Sequence, residues 1–182
     1  PGLEKIIYNA KSVKDATGCF DDAGDATGNI DIVFGESVEV IPEGLLYGNK
    51  NLKTITIPEN VTIIGERAFA NCTGLTRINY NARSATAGLA SSTSPLVSPN
   101  VFANAGAATE GITVVFGDAV ETIPAKIFYG HYSGNSDIRS PNISVAAISE
   151  SVTSIGERAF YGCDNLLCIT IPKGLETIGE SA

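Results

Sequence analysis

The segment Asn51-Leu-Lys-Thr-Ile-Thr-Ile-Pro-Glu-Asn-Val-Thr-Ile-Ile-Gly-Glu-Arg-Ala-Phe69 decides the fold, because the chain repeats it. Residues 142–160 align with it without a gap and end in the same Gly-Glu-Arg-Ala-Phe sequence. Cys72 and Cys163 follow the two copies in register, and a third copy begins at Leu166. Repeats of this length indicate stacked coils that share one hydrophobic core, because a single coil cannot bury its apolar residues alone.

Two other types of coil lie between these copies. Residues 31–42 mirror 113–124, and residues 3–10 mirror 75–82. Three successive coils therefore form a block that occurs twice, which indicates duplication of a three-coil unit. We predict one solenoid domain of about seven coils. The coils are placed at residues 3–28, 29–51, 52–74, 75–110, 111–142, 143–165 and, incomplete, 166–182.

Each coil is predicted to begin with a β-strand that has one buried face. Apolar and polar residues alternate in the third coil, so Ile55 and Ile57 are expected to point inward and Thr54 and Thr56 outward. Pro58 should end this strand, since proline cannot donate a hydrogen bond to a strand ladder. We expect all seven such strands to form one parallel sheet in sequence order, joined by right-handed connections.

The remainder of each coil is predicted to supply the other walls of the core. Ile64 should face the interior from a second wall, and Gly65 should permit a tight turn. The segment Glu66–Phe69 is long enough for about one helical or 3-10 turn, with irregular loops completing the coil. Phe69, and Phe160 in the later copy, should fill the core. The fold class is therefore an α/β solenoid with one parallel β-sheet.

The string Ile-x-Ile-Pro-x-x-Val-x-x-Ile-Gly-x-x-Ala-Phe-x-x-Cys, from Ile55 to Cys72, resembles the BspA-like leucine-rich repeats of bacterial cell-surface proteins. The resemblance covers nearly the whole chain apart from its loops. It implies a right-handed leucine-rich-repeat stack, secretion or surface anchoring, and adhesion to host or neighbouring-cell surfaces. It implies no catalytic residues, because the motif consists of structural positions. The chain departs from the motif at Ala146, where other strands carry Ile or Val, and at Ser149, where Pro is expected.

The composition narrows the classes of partner. The chain has 182 residues, of which 43% are hydrophobic and 18% charged, and a net charge of −8. Nucleic acids and anionic membranes require clustered Lys and Arg, whereas the basic residues here are scattered, so neither is an expected partner. No apolar stretch approaches the roughly 20 residues that span a bilayer. Because the chain opens Pro1-Gly2-Leu3 without Met or a signal peptide, we expect it to be a piece of a longer protein.

The cysteines and the single histidine do not form a recognisable catalytic or zinc site. Cys72 and Cys163 lie three coils apart, about 14 Å, which is too far for a disulfide, so we expect them to be small core residues. Cys19 and Cys168 complete no paired zinc-site spacing. His131 lies in a loop without a defined nucleophile or carboxylate partner, and a surface role is expected for it.

Three loop carboxylates, Asp21, Asp22 and Asp25, could gather oxygens around a calcium ion. Their spacing is not that of an EF-hand, and the equivalent segment 103–107 of the second block lacks all three carboxylates. The coil should therefore form without metal, and we expect chelators to leave the fold intact. No metal or cofactor is predicted for the chain.

The remaining candidates are exposed surfaces. The outward strand positions form a mixed, mildly apolar strip, which is either ordinary sheet surface or a face for an extended partner. Insertions at 83–110 and 130–142 interrupt the regular spacing, and insertions in solenoids often carry binding residues. The first is rich in Ala, Ser and Gly, so flexibility is an alternative there. The candidate partner-binding residues are Lys5, Asp31, Thr54, Thr56, Arg77, Asn79, Thr113, Tyr129, His131 and Tyr132.

The predicted function is a non-catalytic binding or adhesion module that presents a solenoid face and loops to an extracellular protein or glycan. A structural spacer within a long surface protein is the alternative, and an enzyme-associated repeat domain is a remote one, since no acid–base or nucleophile constellation occurs. Clustering of exposed aromatic residues such as Tyr47, Tyr129 and Tyr132 on one face would favour binding. An evenly polar surface would favour the spacer.

The seventh coil is expected to be the least stable part of the chain. The sequence stops just before the position that Phe69 and Phe160 hold in complete coils. Ile171 and Ile178 still need covering, and solenoids normally close their ends with polar caps. We expect either further coils or a neighbouring molecule to cover this end.

Overall fold

The computed structural model describes residues 2–88, 99–129 and 139–182, and within them the chain forms short strands joined by turns, with no helix. From the second coil onward, each coil contributes a longer strand to a main wall and a two-residue strand to a second wall. In chain order the strands are β1 (Lys5–Tyr8), β2 (Asp31–Phe34), β3 (Val40–Ile41), β4 (Thr54–Ile57), β5 (Ile63–Ile64), β6 (Arg77–Tyr80), β7 (Thr86–Ala87), β8 (Ile112–Phe116), β9 (Thr122–Ile123), β10 (Ile143–Ala147), β11 (Ser154–Ile155), β12 (Cys168–Thr170) and β13 (Thr177–Ile178).

The main wall is built from parallel strands that pair in sequence order, which confirms the predicted solenoid. β4, β6, β8, β10 and β12 form one five-stranded sheet, and β1 pairs with β2. One inward row of the sheet runs across all five strands in register and consists of Ile55, Ile78, Val114, Ala146 and Ile169. Alternation of buried and exposed residues along each strand places this row in the core.

A single seven-stranded sheet was the wrong prediction, because the main wall divides between β2 and β4. Only one isolated bridge, Ile30 to Leu52, joins the two parts. The second block has a milder form of the same irregularity: Ile143 and Val145 pair with consecutive residues of β8, which leaves Ser144 without a partner in the ladder. An extra residue of this kind disrupts the local ladder and bends the strand. The main wall is therefore irregular at the same place in both blocks, between the second and third coils and between the fifth and sixth.

The second wall consists of two separate parallel sheets, β3-β5-β7 and β9-β11-β13. Its division falls between the fourth and fifth coils, whereas the main wall divides between the second and third. The two walls therefore divide between different coils. Where the second wall divides, the main wall is continuous and connects the two coils.

The segment of each coil that leads to and includes the core phenylalanine is called the turn wall below. A helical turn was predicted for it, but the segment is not helical. Ala68 N–H donates to the Gly65 carbonyl oxygen at 3.3 Å and closes a four-residue turn, in which Arg67 has φ +54°. Phe69 N–H then donates to the Val101 carbonyl oxygen of the next coil at 2.9 Å. Because the N–H groups of Arg67 and Phe69 donate to Pro99 and Val101 of the next coil, they are not available for the i to i−4 bonds of a helix.

A column of phenylalanine rings fills the core behind the turn wall. Phe69, Phe102, Phe128 and Phe160 come from successive coils, and neighbouring ring centroids are 5.1, 5.5 and 5.4 Å apart. The Phe69 side chain is fully buried and Phe160 is 8% exposed, which confirms both as core residues. Rings at these separations add favourable aromatic contacts to the burial of their apolar area.

Candidate functional site

The first candidate surface is the outer face of the main wall, called the sheet face below. It consists of the outward residues of the strands Lys5–Tyr8, Asp31–Phe34, Thr54–Ile57, Arg77–Tyr80, Ile112–Phe116, Ile143–Ala147 and Cys168–Thr170. Seven of the predicted partner-binding residues lie on it: Lys5, Asp31, Thr54, Thr56 and Arg77 are exposed, and Asn79 and Thr113 are half-buried. The predicted inward and outward positions of these strands are therefore confirmed.

The centre of the sheet face is polar, and its side chains are already ordered. Arg77 Nε donates to Asn79 Oδ1 at 2.9 Å, and Asn79 Nδ2 donates to Thr56 Oγ1 of the neighbouring strand at 3.1 Å. Toward the first coil the face becomes apolar, because Ile7 and Val33 pair across two strands and are 65% and 45% exposed. The strip is thus a flat, mixed surface with strands spaced about 4.8 Å apart.

The predicted loop residues lie elsewhere. Tyr129 belongs to the turn wall, where its ring stacks on Tyr161 with centroids 5.4 Å apart and planes at 30°. His131 and Tyr132 lie outside the described residues. The predicted set thus does not form one surface. The sequence patterns did not single out Tyr161, although it holds the same repeat position, directly after a large core residue, as Tyr47 and Tyr129.

The second candidate surface is a cleft of about 920 Å³ beside Tyr161, called the corner cleft below. Its lining could not be predicted from the sequence, because its walls come from three separated segments. It is lined by Asn104, Ala105, Ala107, Arg139, Ser140, Pro141, Asn142, Tyr161, Gly162, Asp164 and Asn165. Its volume lies within the range of about 300–1,000 Å³ that is common for ligand sites.

Residues 139–142 lie between the two outer walls of the corner cleft and are hydrogen-bonded to both. Toward the fourth coil, Asn104 N–H donates to the Arg139 carbonyl oxygen and Arg139 N–H donates to Asn104 Oδ1, both at 2.9 Å. Toward the sixth coil, Ser140 Oγ donates to the Tyr161 carbonyl oxygen at 3.0 Å. The backbone that lines the cleft is therefore fixed on both sides.

The cleft exists because the fifth coil departs from the repeat at this corner. In the regular coils, Gly48 N–H bonds to the Ala70 carbonyl oxygen and Asn71 N–H bonds to that of Ala103. By the same spacing Asn104 N–H would meet the Tyr129 carbonyl oxygen, yet its partner is Arg139, near the end of the 130–142 insertion. Arg139 thus takes the place of Tyr129 at one step of the ladder.

A close-packed corner shows what the insertion changes. At Gly74 in the third coil, an added Cβ would collide with the Lys50 carbonyl oxygen of the preceding coil. The equivalent residue of the sixth coil is Asn165, whose side chain is exposed and donates to Asn142 Oδ1 at 2.8 Å. At this position the sixth coil therefore has room for a polar side chain, whereas the third coil has no such room.

Of the three loop carboxylates, Asp25 contacts other side chains, whereas Asp21 Oδ1 is buried without a hydrogen-bond partner. Asp25 Oδ1 accepts a hydrogen bond of 2.6 Å from Asn51 Nδ2 and lies 3.5 Å from Lys50 Nζ. The Asn51 bond, and secondarily the Lys50 charge, hold the pKa of Asp25 below its usual range. Among the described residues, no group of three or more His, Cys, Asp or Glu side chains could hold a metal ion.

All four cysteines are free thiols, and for Cys72 and Cys163 this was predicted from their separation by three coils. Cys72 is buried, its Sγ donates to the Leu46 carbonyl oxygen at 3.1 Å, and burial raises its pKa. Burial, with a smaller effect of the nearby Asp164 charge, raises the pKa of Cys163 to about 12. Both thiols are therefore protonated near neutral pH, as expected for residues that fill coil corners. Cys168 is exposed on the sheet face.

No helix in the described parts of the chain is long and apolar enough to cross a membrane. The longest strands have five residues, and the main wall buries one face of each.

Comparison with known proteins identifies the repeat. The model of the BspA type leucine rich repeat region matches residues 3–93 and 138–182, with six copies. A leucine-rich repeat protein from Eubacterium ventriosum is 23% identical over 82% of this chain and 35% of its own, with a TM-score of 0.55. One from Bacteroides ovatus is 22% identical over 82% of this chain and 38% of its own, with a TM-score of 0.51.

A leucine rich cell surface protein from Faecalibacterium prausnitzii is 20% identical over the whole of this chain and 45% of its own, with a TM-score of 0.49. The chain thus spans less than half the length of the solved structures it matches. Curated protein sequences give no match.

Proposed function

The chain belongs to the BspA-type leucine-rich repeat proteins, and on that premise we propose that it is a non-catalytic binding module acting outside the cell or at its surface. It presents the sheet face and the turn-wall corner to an extracellular protein or glycan. The observation that carries this proposal is the sheet face itself. Its central residues Thr56, Arg77 and Asn79 form an ordered hydrogen-bonded group on a rigid sheet, available to a partner.

A preformed surface favours binding because little conformational entropy is lost when a partner docks. Partners of sheet surfaces gain from regularly spaced side chains, and here outward residues recur at each strand spacing of about 4.8 Å. The exposed pair Ile7 and Val33 adds apolar area at one end of the face, which a partner can bury. Arg and apolar residues are common at the centres of protein interfaces.

Two features support a non-catalytic role. Burial raises the pKa of Cys72 and Cys163, which removes the thiolate character that a nucleophile needs. Carboxylates such as Asp25 and Glu121 form hydrogen bonds or ion pairs with neighbouring coils, which indicates a structural role for them. Binding requires none of these groups to react.

A structural spacer is the second candidate, and the end of the solenoid favours it. Ile171 and Ile178 of the seventh coil are exposed, so the stack has a surface onto which further coils could continue. In the matched structures the similar region is less than half of a longer chain. A repeat of this kind can hold another domain at a distance while its sheet face remains free.

A biosensor panel of extracellular matrix proteins and glycans tests the proposal. We expect at least one partner to bind, and Thr56→Arg to weaken its binding by tenfold or more if the sheet face is the contact, because a long charged side chain would displace the partner. Thr86→Arg is the matched control, since it makes the same change at an exposed position of the second wall. Failure of every partner to bind at micromolar concentration would refute the binding module and leave the spacer.

A further inference from the structure

The corner cleft lies where the repeat is interrupted. The two family matches, 3–93 and 138–182, leave residues 94–137 between them, and the cleft opens where the chain rejoins the repeat at Arg139. The third coil, which follows the repeat throughout, has Ala70, Thr73 and Gly74 at the positions of three cleft residues. Tyr161, Asp164 and Asn165 are therefore additions to the regular coil, which the third coil builds without them.

The amides of the corner cleft hold its shape. Asn142 Nδ2 donates to the carbonyl oxygens of Gly106 and Thr109 at 3.2 and 3.0 Å, and Asn142 Oδ1 accepts from Asn165. Asn104 Nδ2 donates to Asn71 Oδ1 at 2.8 Å. These hydrogen bonds form within the protein and need no ligand. A ligand would therefore bind a preformed site and would not have to order its side chains.

Two opposite charges remain available in the cleft. Arg139 and Asp164 are both exposed, and across residues 2–88, 99–129 and 139–182 the structure records no ion pair or side-chain hydrogen bond for either group. The guanidinium carries several N–H donors and no acceptor, whereas the carboxylate is an acceptor only. Together they offer a ligand both kinds of charge-assisted hydrogen bond within one cleft.

Tyr161 supplies an aromatic surface at the edge of the same cleft. Its side chain is 46% exposed, and the stack on Tyr129 holds the ring in place. A tyrosine fixed in this way gives a large amphipathic contact at a low cost in conformational entropy. A ring that is supported on one face and open elsewhere suits a ligand with an apolar C–H face.

The chemistry of these groups selects among ligand classes. An apolar small molecule would need a mostly apolar lining, which Arg139, Asn142 and Asp164 do not provide. An anionic ligand would be opposed by Asp164 and by the net charge of −8. A sugar has neighbouring hydroxyl groups that can donate to a carboxylate and accept from a guanidinium, and a C–H face that can pack on tyrosine.

From this arrangement we infer that the corner cleft binds a short, uncharged oligosaccharide. Tyr161 supports a sugar ring, while Asp164 accepts hydrogen bonds from its hydroxyl groups and Arg139 donates to its oxygens. This inference rests on the proposed binding function and names one site and one ligand class for it. The sheet face remains a separate surface, on a different wall of the solenoid.

An array of uncharged, N-acetylated, sialylated and sulfated oligosaccharides, followed by calorimetry on the sugars bound, tests the inference with the intact chain. We expect binding of uncharged sugars and little binding of the sialylated and sulfated ones. Tyr161→Ala and Asp164→Thr should each weaken binding by about tenfold or more. Both variants should fold, because they introduce the residues of the third coil at the same positions. Amide resonances of Gly162 and Asp164 should shift on titration with the bound sugar.

Thr86→Arg on the second wall is the control and should leave sugar binding unchanged. The inference is overturned if no uncharged sugar binds at millimolar concentration, or if the two cleft variants bind it as the parent does. It is also overturned if only charged sugars, or only peptides from a parallel peptide array, bind at the cleft. Loss of a protein partner through Thr56→Arg, with no sugar bound, would reject the cleft inference and retain the proposed function.

Discussion

The third coil, 52–74, and the seventh coil, 166–182, carry the same motif and have very different surroundings. Ile57 and Ile64 of the third coil are completely buried. Their equivalents in the seventh coil, Ile171 and Ile178, are 49% and 61% exposed. The difference shows that the motif specifies which side of a coil faces inward, whereas burial also requires a coil on both sides.

The backbone hydrogen bonds differ between the two coils in the same way as the burial does. The turn wall of the third coil is bonded on both sides, since Leu46 N–H donates to the Ala68 carbonyl oxygen and Phe69 N–H donates to that of Val101. In the seventh coil, Ala182 accepts a bond from Phe160 N–H at 3.1 Å, on the side of the sixth coil. An inner coil is thus stabilised by two interfaces and an outer coil by one.

The largest expected effect comes from emptying the core of the third coil. Phe69→Ala removes a fully buried ring that stacks on Phe102, so the free energy of unfolding should fall by about 3–5 kcal/mol. Leu167→Ala in the seventh coil is the control: its side chain is 86% exposed, and the change should stay within about 0.5 kcal/mol. Urea unfolding measures both. An unchanged transition for Phe69→Ala would show that the ring does not support the core.

Paired truncations at one motif position sharpen the comparison. Ile64→Ala should cost about 2–4 kcal/mol, because it leaves a cavity between two coils. Ile178→Ala removes a side chain that is 61% exposed, and we expect a cost below about 1 kcal/mol. The same denaturation experiment compares them. Equal losses at the two sites would mean that something outside the described residues covers the seventh coil.

Hydrogen exchange should resolve the two coils without substitution. Amides of residues 166–182 should open with a free energy on the order of 2 kcal/mol lower than those of 52–74, because one interface is missing. The experiment requires a dilute monomer, since association would cover the exposed end. Equal protection of both segments under those conditions would show that the seventh coil is stable without a cap.

Thiol reactivity gives the mildest test, since it leaves the fold unchanged. Cys168 of the seventh coil is exposed and should react with a thiol reagent in the native protein, whereas Cys72 of the third coil should react only after unfolding. With its pKa raised to about 12, Cys163 should have a thiolate fraction of roughly 10⁻⁴ at pH 8, rising about tenfold per pH unit. Mass spectrometry at several pH values can follow all three. Native labelling of Cys72 would contradict its burial.

Much of the fold could be predicted from the sequence, because the repeats show the same pattern of inward and outward positions several times. Alternation at Thr54–Ile57 gave the correct inward and outward faces, and the match of Phe69 with Phe160 identified a core position. The expected helical turn was wrong, because sequence spacing could not reveal that N–H groups near Arg67 would bond to the next coil. Length alone allowed a helix there.

The candidate site was predicted only in part. Strand periodicity identified sheet-face residues such as Arg77 and Asn79, since each needed only its own strand to be placed. Tyr161 could have been found from the repeat position it shares with Tyr129. The corner cleft gave no such signal, because its lining depends on where an insertion of irregular length returns to the stack.

Periodic burial was enough to predict the solenoid and the inward residues from the sequence, because it is a local property that each copy repeats. Three features became evident only from the folded structure. They are the division of the walls, the places where the solenoid exposes apolar surface, and the meeting of residues near Asn104, Arg139 and Tyr161 in one cleft. These features depend on the register and spacing between coils, which hydrogen bonds and packing fix only when the chain is stacked.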